Sequence, residues 1–140
     1  MRLLGLDVGE KRIGVAVSDP EGKIAFPLKV VPREGGDVRT VLNLLQESEA
    51  EEVVVGLPRS LDGSLGTQAQ SVLTYGERLK KAGISVTYWD ERLSTAAALR
   101  SLAGMKPAKK KARLDAEAAA FILQGYLDSM RSKSAGEGHS

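Results

Sequence analysis

The stretch Leu3–Asp19, LLGLDVGEKRIGVAVSD, constrains this chain more than any other. Two apolar segments flank a short charged turn at Gly9–Lys11, the pattern of a β-hairpin. Asp7 sits inside the first segment. Burying a lone carboxylate costs on the order of several kcal/mol, so an acid in such a strand calls for a partner, a proton or a metal ion. Gly5, Gly9 and Gly14 strip side chains from its surroundings, so a backbone or a phosphate can approach closely. Asp7 therefore reads as the first ligand of a metal site; the plainer alternative is a turn residue ahead of Gly9.

The rest of the chain supplies a frame for that hairpin. Ile24–Val31 reads as a third strand, and Pro27 inside it argues for an edge position. Asp37 is placed to cap a helix over about 38–48, with Val38, Val41, Leu42 and Leu45 on one face. Glu52–Pro58 carries the wholly apolar run Val53-Val54-Val55, which suits a parallel strand covered on both sides. A Gly/Ser/Asp loop over 58–66, with Asp62-Gly63 as a turn, leads to a helix over about 67–82. Its inner stripe is Ala69, Val72, Leu73, Gly76 and Leu79, and Gly83 ends it; Thr67 and Gln68 serve its start. Ile84–Trp89 is a fifth strand, and a helix capped by Ser94 or Thr95 runs to about Leu102. A basic loop over 105–113 precedes a last helix over about 115–130, with Ala118, Ala119, Ile122, Leu123 and Tyr126 inward.

This order gives an α/β domain. Three antiparallel strands come first, then parallel additions, in a mixed five-stranded sheet with helices on both faces. Residues 1–131 form the single domain and the polar, Gly- and Ser-containing residues 132–140 a disordered tail. Open sheets of this kind bind ligands beyond the carboxyl ends of their parallel strands, where Asp7, the loop after Pro58 and Glu91 all fall.

Composition narrows the chemistry. The 140 residues hold no cysteine, and the only histidine is His139 near the end. Thiol nucleophiles, Ser-His-Asp triads and Cys/His zinc sites are excluded within the chain. Catalysis would fall to carboxylates, lysines, hydroxyls or a bound ion. No apolar run is long enough for a membrane span and no signal peptide is apparent, so a cytoplasmic protein is expected. The net charge of +2 is uneven: Lys106, Lys109, Lys110, Lys111 and Arg113 cluster with no acid among them. The remaining residues carry 15 basic against 18 acidic groups, so one basic segment on a mildly acidic body points to a polyanion.

Three acids stand out by placement: Asp7, Glu91 after the fifth strand, and Asp115 at the start of the last helix. Each has a plainer alternative. Glu91 could be a surface acid paired with Arg92, and Asp115 an N-cap. Asp90 and Glu117 are weaker candidates for a fourth ligand, and Arg12 would contact phosphate or pair with Glu10. Magnesium and manganese take oxygen ligands, and such a site hydrolyses phosphodiesters with no histidine.

Four segments resemble the motifs of the YqgF (RuvX) family. These are Leu6-Asp7-Val8-Gly9 with Arg12 and Gly14; Val55-Gly56-Leu57-Pro58 with Asp62-Gly63; Asp90-Glu91-Arg92-Leu93-Ser94-Thr95; and Asp115 with Ala118, Ala119, Ile122 and Leu123. Together they span nearly the whole chain. The resemblance implies a ribonuclease H-like fold shared with RuvC-type Holliday junction resolvases. It also implies an endonuclease dependent on Mg²⁺ or Mn²⁺, with Asp7, Glu91 and Asp115 as catalytic metal ligands. The implied substrate is the 16S ribosomal RNA precursor, with ribosomal particles as possible partners; branched DNA is the alternative. Arg12, Lys106, Lys109, Lys110, Lys111 and Arg113 are the candidate nucleic-acid contacts. RuvC-type enzymes use a fourth acid, and none here matches one.

Two other classes compete. Actin-like and sugar kinases also open on an Asp-x-Gly hairpin that meets phosphate, but they need two such domains and this chain has room for one. A nucleic-acid-binding module without chemistry, such as a transcription or ribosome-assembly factor, would account for the basic segment alone.

Overall fold

A computed structural model describes residues 2–59, 64–91 and 107–138, without the side chains of 108, 109, 112 and 133–138. Strands β1 (Arg2–Val8), β2 (Arg12–Ser18) and β3 (Ala25–Pro32) form an antiparallel meander. Helix α1 (Asp37–Glu47), β4 (Ala50–Leu57), helix α2 (Thr67–Lys81) and β5 (Val86–Asp90) follow, then helix α3 (Ala108–Gly138). The sheet order is β3-β2-β1-β4-β5, with β4 parallel to both β1 and β5. The expected mixed five-stranded sheet is present, with β3 at the edge as Pro27 predicts. The ladder shifts register between Val15 and Ala16, beside Pro27, and Phe26 and Leu28 stay exposed. The expected helix over about 94–102 and the turn at Asp62-Gly63 lie outside the described residues.

Strand alternation sorts the core into two layers. Leu4, Leu6, Val8, Ile13, Val15, Val53, Val55 and Leu57 pack under α1 and α2 with Val41, Val72, Tyr75 and Leu79. Leu3, Ala16 and Val54 face the other way, onto Ala118, Ala119, Ile122 and Leu123 of α3. Because side chains alternate along a strand, Asp7 falls on the α3 side with Leu3, while Leu6 and Val8 fall opposite. Tyr75, absent from the expected stripe of α2, is fully buried, and Leu73 is only partly so.

Three local expectations are corrected. Asp37 is not the cap of α1. Gly36 occupies that position at φ 95°, and the buried Asp37 carboxylate accepts a hydrogen bond from Arg78 at 3.2 Å. The basic segment is not a loop from Pro107 onward: Lys109 to Arg113 lie in the first turns of α3, where the Lys111 amide donates to the Pro107 carbonyl at 2.9 Å. Asp115 is consequently well inside that helix and caps nothing. The same helix extends through Gly138.

Candidate active site

The three singled-out acids meet the structure at the carboxyl ends of β1 and β5 and on the face of α3. Asp7 pairs across the sheet with Gly14 of β2. One step past the Leu6–Val55 pair, the parallel register brings Gly56 of β4 alongside Asp7 on its other flank. Asp7 thus stands between two positions that carry no side chain.

Each glycine position is covered by one of the other acids. A Cβ on Gly14 would lie 2.1 Å from the backbone carbonyl oxygen of Asp115, so only glycine lets α3 settle that close to β2. A Cβ on Gly56 would lie 2.4 Å from Ile122 Cδ1 and 3.4 Å from Glu91 Oε2. Asp115 therefore lies over one neighbour of Asp7, and Glu91 over the other.

Asp7 and Glu91 are both buried, each about 4% exposed. The surface-acid alternative for Glu91 is thereby corrected: it tucks beneath α3, where desolvation first, and the nearby Asp90 carboxylate second, raise its pKa to about 7. Asp115 is less buried, and its Oδ2 accepts a hydrogen bond from Arg12 Nε at 2.7 Å. Arg12 was expected to pair with Glu10 if it did not meet phosphate; its partner is Asp115. The two weaker candidates are engaged elsewhere: Asp90 lies 3.9 Å from Arg59, and Glu117 lies 3.7 Å from Arg113 on the surface of α3. Among the described residues, no three acids draw close enough to hold one ion.

The hairpin that carries Asp7 and Arg12 is fixed from behind. The Gly9 amide donates to the Arg12 carbonyl at 2.8 Å. Arg33 donates through Nη1 to the Gly9 carbonyl at 2.9 Å and to Ser71 Oγ of α2 at 3.0 Å, and its guanidinium lies over the Tyr75 ring. Its backbone amide donates to the Lys11 carbonyl at 2.9 Å. Sequence reasoning missed Arg33 because its partners are remote in the chain. Gly56 was noted only as part of a motif.

Of the basic residues, Lys110 and Arg113 are exposed and Lys111 half-buried. Lys111 precedes Asp115 by four residues and so shares its face of the helix. Lys106 and the Lys109 side chain lie outside what is described, as do Arg92 to Thr95 of the third motif.

The RuvX family, described as Holliday junction resolvase, matches residues 1–129. The chain belongs to the RuvX family. RuvX relatives that carry the name "Putative pre-16S rRNA nuclease" include one from Desulfitobacterium hafniense (strain DSM 10664 / DCB-2), 45% identical over 95% of this chain and 96% of its own. Another, from Thermoanaerobacter pseudethanolicus (strain ATCC 33223 / 39E), is 44% identical over 95% of this chain and 100% of its own. The fold is similar to that of Thermus thermophilus RuvC, in a structure described as "in complex with Holliday junction substrate", at a TM-score of 0.57 and 19% identity. That match covers 94% of this RuvX chain and 96% of RuvC. The expected ribonuclease H-like fold is therefore present.

The donor chemistry, though not a converged ligand set, suits a hard divalent cation: Asp7 and Glu91 are buried carboxylates on the α3 side of the sheet, and the chain contains no cysteine to favour a softer metal.

Proposed function

We propose that this chain is a metal-dependent endonuclease that hydrolyses phosphodiester bonds of structured RNA, with the 16S ribosomal RNA precursor as substrate. It acts as a single domain over residues 1–131, in the cytoplasm, on free RNA or on ribosomal particles. No helix among the described residues is long and apolar enough to cross a membrane. The observation that carries the reading is the burial of Asp7 and Glu91 on the α3 side of the sheet, in a chain 45% identical over nearly its full length to a relative named "Putative pre-16S rRNA nuclease".

In this reading Asp7, Glu91 and Asp115 are the catalytic carboxylates and hold Mg²⁺ or Mn²⁺, as one ion or two. An ion held there supplies activation of water and charge stabilisation on the attacked phosphate. The chain's own groups do the rest. The cover of α3 over Asp7 and Glu91 keeps water from screening their charge. Glu91, whose pKa burial raises to about 7, would have to be ionised to hold such a cation. Arg12, Lys106, Lys109, Lys110, Lys111 and Arg113 neutralise substrate phosphates, with Lys111 one helical turn from Asp115.

The test is cleavage of precursor RNA by purified protein with Mg²⁺ or Mn²⁺, beside an Asp7→Asn variant. Loss of cutting in a folded variant supports the reading; a folded wild-type protein that cuts neither RNA nor branched DNA overturns it. A second reading, resolution of branched DNA, is favoured by the family's description. Four-way junctions in the same assay separate the two.

A further inference from the structure

Phe121 of α3 is 46% exposed and stands in line with the cationic turns. At about 100° per residue, Lys110, Arg113, Glu117, Phe121 and Gln124 fall within one arc of about 80° on the helix. Lys110 and Arg113 are exposed. Between this stripe and β3 lies a groove of about 350 Å³, lined by Ala25, Pro27, Glu117, Ala120, Phe121 and Gln124. Phe121 follows Asp115 by about 9 Å of helix rise, on a different side of the helix.

We propose that this groove is a subsite for an unpaired base of the RNA: the base stacks on the Phe121 ring while Lys110 and Arg113 hold flanking phosphates. The proposal rests on the RNA reading above and concerns binding beside the acids, not the cut itself.

Three observations point to that occupant. First, a ring and two cations on one face suit a ligand that carries flat apolar groups on an anionic backbone, which is single-stranded nucleic acid. A duplex keeps its bases stacked inward and offers the ring nothing. Second, the floor of the groove is fixed. Gln124 accepts from the Ala25 amide at 2.9 Å and donates to the Lys23 carbonyl at 2.9 Å and to Asp128 Oδ1 at 3.0 Å. These bonds tie α3 to the start of β3, so a base meets a formed surface. Third, Pro27 and Pro32 deprive β3 of two backbone donors, which works against a protein segment adding as a further strand beside the groove.

Glu117 is the acid among the lining residues, and it lies 3.7 Å from Arg113. An acceptor there suits the amino group of adenine, cytosine or guanine better than the carbonyl edge of uracil.

The test uses a hairpin RNA with a single-stranded adenine tail, beside the same stem with blunt ends. Binding is followed by fluorescence anisotropy in chelator, so that cutting does not intrude. Phe121→Leu keeps apolar bulk and removes the ring. It should weaken binding of the tailed RNA about tenfold, within the range for one lost stack, and leave the blunt stem unchanged. The salt-dependence slope should stay that of the wild type, because stacking releases no counterion; Arg113→Gln should shrink it by about 1. Phe121→Trp should keep the affinity, and its emission, above that of Trp89, the only native tryptophan, should be quenched by the tailed RNA and not by the blunt stem. A folded Phe121→Leu that binds both RNAs as the wild type does, or loses affinity for both equally, overturns the subsite. So does a changed oligomeric state with RNA affinity intact, which would give the groove to a protein partner. Either failure leaves the nuclease reading standing if the wild type still cuts precursor RNA with Mg²⁺ or Mn²⁺. A folded wild-type protein that neither binds nor cuts RNA removes both.

Discussion

Gly14 of β2 lies directly beneath Asp115 of α3, so close that a single added carbon would meet the Asp115 carbonyl oxygen at 2.1 Å. The contact is to backbone, which cannot rotate aside. Gly14→Ala must therefore push α3 off the sheet at the point where Asp115 is delivered. The expected cost is about 2–3 kcal/mol, within the range for overpacking a close-packed layer. It should be read as a lowered denaturation midpoint with unchanged slope. Gly35→Ala is the control: nothing lies within 4 Å of its added carbon, and stability should hold or rise slightly.

Asp7→Asn separates function from folding. The change removes a negative charge from a site that buries it, so the ion-free protein should keep its melting temperature or gain a little. Cutting of RNA or branched DNA should fall by about a hundredfold or more, as expected when a charged ligand to a catalytic ion is lost. Loss of folding instead would mark Asp7 as a structural acid. Chelation of divalent ions should abolish cutting by the wild type, and adding Mg²⁺ or Mn²⁺ back should restore it.

Glu91 gives the ion-free protein a pH signature. Burial raises its pKa to about 7 from an ordinary 4.5, so between those values the folded chain holds a proton that the unfolded chain has released. Stability should thus be fully present below about pH 4.5, fall as pH rises to about 7, and level off above it, by about 2 kcal/mol after allowing for solvent screening. Glu91→Gln should flatten this slope, match the wild type near pH 4, and exceed it at pH 8. Thermal melts across that range in chelator check it. Divalent ions should bind the wild type more tightly as pH rises through 7, since they compete with that proton.

Lys110 and Lys111 should contribute to affinity without sequence preference. Replacing both with alanine should weaken RNA binding uniformly and shrink the salt-dependence slope by about 1.5–2, as for two lost phosphate contacts. Filter binding across a range of salt concentrations measures it. An unchanged slope would mean that the basic turns of α3 do not meet the backbone.

The sheet was legible because its signal is local. Alternation in β2, an unbroken apolar run in β4 and a proline in β3 each speak for themselves; Asp7 stood out against its apolar flanks, and Glu91 and Asp115 by their placement after a strand and at a helix start. What escaped depends on partners far away in the chain. Asp37 looks like a cap until Arg78, 41 residues on, claims its carboxylate; Arg12 looks free to meet Glu10 until Asp115 arrives. The start of α3 was missed for a different reason. Lysines at 109–111 show no apolar stripe, so the helical period is invisible there, although lysine and alanine are strong helix formers.

Helix α3 joins two jobs in one rod. Lys110, Lys111 and Asp115 share it with no flexible joint between them, so whatever seizes the cationic turns also fixes the angle at which Asp115 reaches the cleft. Inserting one alanine between Lys111 and Asp115 would rotate the two about 100° out of step while leaving every charge in the chain unaltered.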